Sequence, residues 1–124
     1  MTLYFLDSYA MIEYLSGNER FAPFVDRGDW ATSVFNLAEV YYVSLRDVSE
    51  EYAERAFLAF GTGMVEASDG DVKAGMVTRL KLRARDLKLS YADSIGYEMA
   101  KRVGAKFLTG DSAFSELPGV EFVK

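Results

Sequence analysis

The sequence predicts a three-layer α/β/α sandwich with a central parallel sheet of about five short strands. Short apolar runs alternate with helical patterns along the chain, serines stand before the helical patterns and glycines after several of them, and acids stand where strands end. With 124 residues, 50% of them apolar, residues 1–124 fit one domain, and a chain of this size buries about two thirds of its surface on folding.

Leu3 to Leu6 reads as a buried strand ending at Asp7-Ser8. Ser8 can cap a helix that carries Met11, Ile12 and Leu15 and stops at Gly17. A short helix from Arg20 to Asp26 presents Phe21, Phe24 and Val25, and Trp30 to Ser33 reads as a weak strand. Ser33 caps a helix from Val34 to Arg46 whose expected buried stripe is Val34, Leu37, Ala38, Tyr41 and Leu45, with Asn36 and Glu39 off it. Ser49 caps an amphipathic helix (Tyr52, Ala53, Ala56, Phe57, Phe60) that ends at Gly61 or Gly63, and Met64 to Ala67 follows as a short strand.

Ser68-Asp69-Gly70-Asp71 is a capping box ahead of a long helix to about Leu87. Ser90 caps a helix with Ile95, Met99, Ala100 and Val103 at helical spacing, and Gly104 closes it in the left-handed conformation that suits glycine. Ala105 to Thr109 is a buried strand that delivers Asp111 at its carboxyl end. Ser112 to Leu117 makes a turn or short helix, Pro118-Gly119 a turn, and Val120 to Val123 a last strand. If the first strand is central, the sheet changes winding direction beside it, and such sheets bind ligands at the carboxyl ends of their strands at that point.

Composition removes several chemistries. The chain has no cysteine, hence no disulfide, thiolate nucleophile or cysteine-ligated zinc. It has no histidine, which excludes Ser-His-Asp hydrolysis and imidazole-bound zinc. The net charge of -5 argues against adhesion to nucleic acid over the whole surface. No basic region opens the chain, and Asp7 and Glu13 break its first apolar run, so neither a signal peptide nor a membrane span is expected and the location should be cytoplasmic.

Asp7, Glu39, Asp93 and Asp111 can all be placed at one edge of the predicted sheet. Singly each has an ordinary reading: Asp7 and Asp111 as turn residues or caps, Asp93 as the acid of a capping box with Ser90, Glu39 as a solvated helix residue. Carboxylates crowded together raise one another's pKa and destabilise the fold unless a cation neutralises them. Oxygen-only clusters suit magnesium or manganese, which can lower the pKa of bound water and orient it for in-line attack on a phosphodiester.

Leu6-Asp7-Ser8, Ser33 to Glu39, Ala92-Asp93-Ser94-Ile95 and Thr109-Gly110-Asp111-Ser112-Ala113-Phe114 resemble the motifs of PIN-domain ribonucleases, in the family's order and approximate spacing from Leu3 to Val123. At about this length the chain is similar to the single-domain VapC toxins of toxin-antitoxin pairs. The resemblance implies that Asp7, Glu39, Asp93 and Asp111 hold one or two Mg2+ or Mn2+ ions for endonucleolytic RNA cleavage. Ser8 and Thr109 match positions where members often carry hydroxyls near the metal. Two positions depart from the pattern: Tyr9 stands where a small polar residue is common, and Ala113 where many members have a further polar or acidic residue. A cognate antitoxin and a homodimer are the partners the resemblance implies.

The long helix region is the basic part of an acidic protein. Arg79, Lys81, Arg83 and Arg85 can contact RNA phosphates, or simply form a solvated face, and the run from Arg83 to Lys88 brings positive charge toward Asp93. Tyr41, Tyr42, Tyr52, Phe57 and Phe60 are expected mostly in the core, with any surplus available to a second copy or an antitoxin helix. The alternative to a nuclease is a catalytically idle domain of the same fold that binds RNA or protein. A receiver domain wants paired acids at the first strand and a lysine after a late strand, but Asp7 stands alone and no lysine follows just beyond Thr109. A haloacid-type phosphatase wants a second aspartate at position 9, where Tyr9 stands.

Overall fold

The computed structural model describes residues 2–124. Its sheet contains β1 (Tyr4–Leu6), β2 (Trp30–Ala31), β3 (Lys106–Thr109) and β4 (Val120–Phe122), all parallel, in the order β2-β1-β3-β4. The predicted three-layer α/β/α architecture with a parallel sheet is present, with four strands rather than about five. The expected strand from Met64 to Ala67 contributes a single parallel bridge, Thr32 to Met64, before the chain leaves for the Ser68 capping box. Met64 is half exposed, so little apolar burial holds that segment to the sheet edge.

Alternation along the strands divides the core in two. Leu6 and Leu108 face one side, covered by α1 (Ser8–Leu15), α2 (Ala22–Val25), α3 (Val34–Asp47) and α4 (Glu50–Gly61), with Ala10, Met11, Phe21, Leu37, Val40 and Phe60 packed there. Phe5 and Phe107 face the other, covered by α5 (Asp69–Arg83), α6 (Tyr91–Arg102) and a 3-10 turn, Ser112–Phe114. Phe107 lies 4.7 Å from Phe114 and 5.7 Å from Tyr97 between ring centroids. Each fully buried side chain of this size contributes about 1.5 to 3 kcal/mol by leaving water. Most of the aromatics are indeed core or half-buried: Phe60 packs edge-on against Trp30 and Tyr14, and Tyr41 against Phe57, while Tyr42 stays exposed.

Capping follows the sequence closely. Ser33, Ser49, Ser68 and Ser90 each accept a hydrogen bond from the amide three residues on, and Asp71 returns the bond to Ser68 to complete the box. The basic helix is shorter than expected: α5 ends at Arg83, and Asp86 adopts a positive φ of 62°. There Leu87 N bonds to Leu82 O and Asp86 N to Arg83 O, a helix-ending pattern that usually selects glycine but tolerates aspartate. Gly104 ends α6 in the same way at φ 73°.

One face was assigned differently from the sequence. On α3 the buried residues are Asn36, Leu37, Val40 and Ser44, while Val34 and Leu45 are 46% and 41% exposed. Hydropathy alone pointed the wrong way because Asn36 finds polar partners inside the fold, described below.

Helices α5 and α6 meet backbone to backbone at Gly75, where an added Cβ would lie 2.8 Å from Ile95 Cα and 2.9 Å from Ile95 N. Gly75→Ala must therefore push α6 away, and thermal melting should show a loss of about 1 to 3 kcal/mol. An unchanged melting temperature would mean that the two helices are not held this closely.

Candidate functional site

Strands β1 and β3 are neighbours, so their carboxyl ends lie side by side and bring Asp7 next to the chain that leads to Asp111. The Asp7 amide still follows the sheet, donating to Leu108 O at 3.3 Å. Asp7, rather than Ser8, caps α1: its Oδ1 accepts from Ala10 N at 2.7 Å. Only one oxygen is used this way. Asp7 is fully buried, and Oδ2 has no hydrogen-bond partner among the described residues.

Burial pushes the Asp7 pKa well above the ordinary carboxylate range, and the charges of Asp93 and Asp111 push it further. The Thr109 hydroxyl and the Ala10 amide pull it back, but neither contact provides Oδ2 with a hydrogen bond. Asp93, in the first turn of α6, is raised to about 7, first by burial, then by the charge of Glu39, with Asp111 adding to it and the Ser90 hydroxyl opposing it. Repulsion thus links Asp7 to Asp93 and Asp111, and Asp93 to Glu39 and Asp111. Asp7, Asp93 and Asp111 are within electrostatic reach of one another at the switch point between β1 and β3, and Glu39 joins them through Asp93.

Glu39 is held by a chain of polar groups. Being inside α1 rather than capping it, Ser8 turns its hydroxyl to α3 and donates to Glu39 Oε1 at 2.7 Å. Asn36, fully buried, donates from Nδ2 to Ser8 Oγ at 3.2 Å, and its Oδ1 accepts from Ser33 Oγ at 2.6 Å. Asn36 is the site residue that periodicity missed. The available signal was a second polar residue three positions after the Ser33 cap, beside the inward-facing Leu37 and Val40.

Asp111 caps the 3-10 turn through Oδ1, which accepts from Ala113 N at 3.0 Å, and its own amide donates to Thr109 Oγ1 at 3.0 Å. Thr109 is buried and Asp111 half-buried. Tyr9, the first departure from the family pattern, lies against Gly110: a Cβ there would meet the Tyr9 ring edge and the Val123 carbonyl. Ala113 leaves its backbone amide as the group that meets Asp111.

Four carboxylates with Ser8 and Thr109 hydroxyls, and no histidine or cysteine in the chain, are a donor set for a hard divalent cation such as Mg2+ or Mn2+. The unpartnered Asp7 Oδ2 is the lone pair such a cation would need. Among the described residues, however, no three acids stand close enough together to hold a metal ion as their side chains are arranged. The donors fit the chemistry, and ligation would require Glu39, Asp93 and Asp111 to close on Asp7.

The basic residues divide. Arg79 and Arg83, four apart on one face of α5, line a cleft of about 270 Å³ with Lys88 and Leu89. Arg79 is partly committed to the fold, donating from Nε to Leu89 O at 3.0 Å and lying 4.5 Å over the Tyr91 ring. Arg85, beyond the end of α5, lines a second cleft of about 140 Å³ beside Ser112 and Glu116. Lys81 is exposed and lines neither. The expected positive charge near Asp93 does not register in its pKa: burial and the charges of Glu39 and Asp111 raise it, and the opposing contribution comes from the Ser90 hydroxyl rather than from a basic side chain. No helix among the described residues is long and apolar enough to cross a membrane.

Comparison with known proteins agrees on the fold. The chain resembles a toxin-antitoxin complex from Klebsiella pneumoniae (18% identity, 98% of this chain and 96% of that one, TM-score 0.74). It also resembles VapBC2 from Rickettsia felis bound to a DNA fragment from its promoter (16%, 99% and 100%, 0.77). A third likeness is to VapC20 from Mycobacterium tuberculosis, a sarcin-ricin loop cleaving toxin (14%, 98% and 99%, 0.73). No curated protein matches the sequence. A family model described as PIN domain matches residues 4–120, which is nearly all of the chain: the protein belongs to the PIN domain family.

Proposed function

We propose that this protein is a metal-dependent endoribonuclease, the toxin of a toxin-antitoxin pair, acting in the cytoplasm as a single domain over residues 1–124. The observation that carries this reading is the fully buried Asp7 at the β1/β3 switch point, with one oxygen unpaired and the charges of Asp93 and Asp111 acting on it. An enzyme without histidine or cysteine has few other routes to hydrolysis.

In this reading Asp7, Glu39, Asp93 and Asp111 hold Mg2+ or Mn2+. The bound ion supplies an activated water and stabilises the leaving oxygen of the phosphodiester. Asp7 stays fixed because its other oxygen is pinned to the first turn of α1. Ser8 orients Glu39, and Thr109 shapes the turn that presents Asp111. Arg83 and Lys88, with Arg79, Lys81 and Arg85 nearby, attract RNA phosphates toward a site that is otherwise repulsive to them. The toxin-antitoxin complexes among the structural neighbours support an antitoxin partner, and exposed Tyr42 leaves surface for that partner or for a homodimer.

Structured RNA incubated with the protein and Mn2+ should be cut internally, and the cutting should stop with EDTA and fall at least about a hundredfold in Glu39→Gln. The spacing of the acids favours a second reading, a PIN-like module that binds RNA or protein with its acids idle. In that case RNA stays intact while binding survives both EDTA and Glu39→Gln.

A further inference from the structure

We propose that Asn36 is a positioning residue that commits the Ser8 hydroxyl to Glu39; this rests on the metal-dependent reading above. A serine hydroxyl has one proton and two lone pairs, so its direction is decided by its neighbours. The amide nitrogen of Asn36 can only donate, and it donates to Ser8 Oγ at 3.2 Å. Ser8 therefore accepts from Asn36 and spends its single proton elsewhere. Two acceptors are available, Glu39 Oε1 at 2.7 Å and the Asn36 carbonyl at 3.4 Å, and the short, charge-assisted bond prevails.

The orientation of Asn36 is itself determined. Ser33 Oγ accepts from the Asn36 backbone N–H at 3.1 Å, which directs the Ser33 proton to Asn36 Oδ1 at 2.6 Å. The carboxamide oxygen thus faces Ser33 and the NH2 faces Ser8. Gly96 on α6 leaves room for this arrangement, since a Cβ there would come within 2.8 Å of Asn36 Oδ1 and 3.0 Å of the Phe5 ring. The series Ser33, Asn36, Ser8, Glu39 runs from the cap of α3 to α1 and back, so one carboxylate is aimed by three buried groups. Buried polar groups arranged in one direction keep a carboxylate in place more firmly than packing alone.

The test is a double-mutant cycle on Mn2+ affinity, read by electron paramagnetic resonance of free Mn2+, with Ser8→Ala, Asn36→Leu and the double variant. Leucine fills a similar volume and cannot donate. Each single variant should weaken Mn2+ binding about tenfold, and the double variant should be no weaker than the worse single one, because both act through the same proton. RNA cleavage by Asn36→Leu should return toward the wild-type rate at saturating Mn2+, which a merely structural role would not permit. If Asn36→Leu does not fold, Ser8→Ala carries the test, since it removes one oxygen at the end of the same series. Wild-type Mn2+ affinity in a folded Ser8→Ala overturns the proposal alone. Wild-type protein that binds no Mn2+ overturns the nuclease reading and this proposal with it.

Discussion

Asp7→Asn is expected to preserve or raise the metal-free melting temperature while lowering Mn2+-dependent RNA cleavage by at least about a hundredfold. Asparagine keeps the oxygen that accepts from Ala10, so the cap on α1 survives. It removes the possibility of a buried negative charge beside Asp93 and Asp111, and the gain should be largest above neutral pH, where the acids repel most. The Mn2+-induced rise in melting temperature should shrink in the same variant, because metal binding stabilises only the state that ligates. Asp7→Ala serves as the contrast, since it loses the cap as well and should fall by about 1 kcal/mol. If Asp7→Asn and Asp7→Ala lose equal stability and cleavage continues in both, Asp7 is a cap and nothing more.

The second large effect is on pH. Asp93 titrates near 7 in the folded protein but near 4 in an unfolded chain. Between those values the native state holds a proton that the unfolded state has released, so stability falls as pH rises. It is fully present below about pH 4 as far as this group is concerned, and is lost by the time pH passes through 7. A displacement of this size integrates to on the order of 4 kcal/mol, and the titration is shared with Asp7, whose pKa is raised in the same direction. Metal-free melting temperatures measured from pH 5 to pH 8 should therefore decline, and Asp93→Asn should flatten the decline. Saturating Mn2+ should flatten it as well, since a cation favours the ionised acids. A wild-type profile that is flat in this range, or that rises, would show that the acids are apart in solution.

Much of this site was legible in the sequence because capping and strand ends are local events. Ser33, Ser68 and Ser90 announce their helices through one side chain and one amide, and Gly104 announces the end of α6 through its own φ. Asp7 and Asp111 could be placed because a buried strand of a few residues must end where its apolar run ends. The local signals failed where a polar side chain had a tertiary partner. Asn36 looked like a surface residue of α3 because its hydrogen bonds run to Ser33 and to Ser8 28 positions earlier, and hydropathy does not record the second. Ser8 looked like a cap because aspartate and serine are both good caps, and only the φ of -82° and ψ of 175° at Asp7 place the boundary there. Met64 to Ala67 looked like a strand, yet pairing beyond one bridge needs a sheet edge that continues past Thr32.

By itself the sequence determined the parallel α/β class, most of the order of elements and the absence of thiol and imidazole chemistry, since each depends on composition or on neighbours within one or two turns. Only the tertiary structure decided that β1 and β3 are adjacent, that Asp7 is wholly buried with one oxygen unpaired, and that Asp93 shares its charge environment with Glu39 and Asp111. It also decided that Asn36 faces inward and that Arg79 is tied to Leu89. These are questions of distance between residues far apart in the chain. Burial and repulsion act through space, so the pKa of a carboxyl group is settled by which surfaces meet around it rather than by the residues beside it in the sequence.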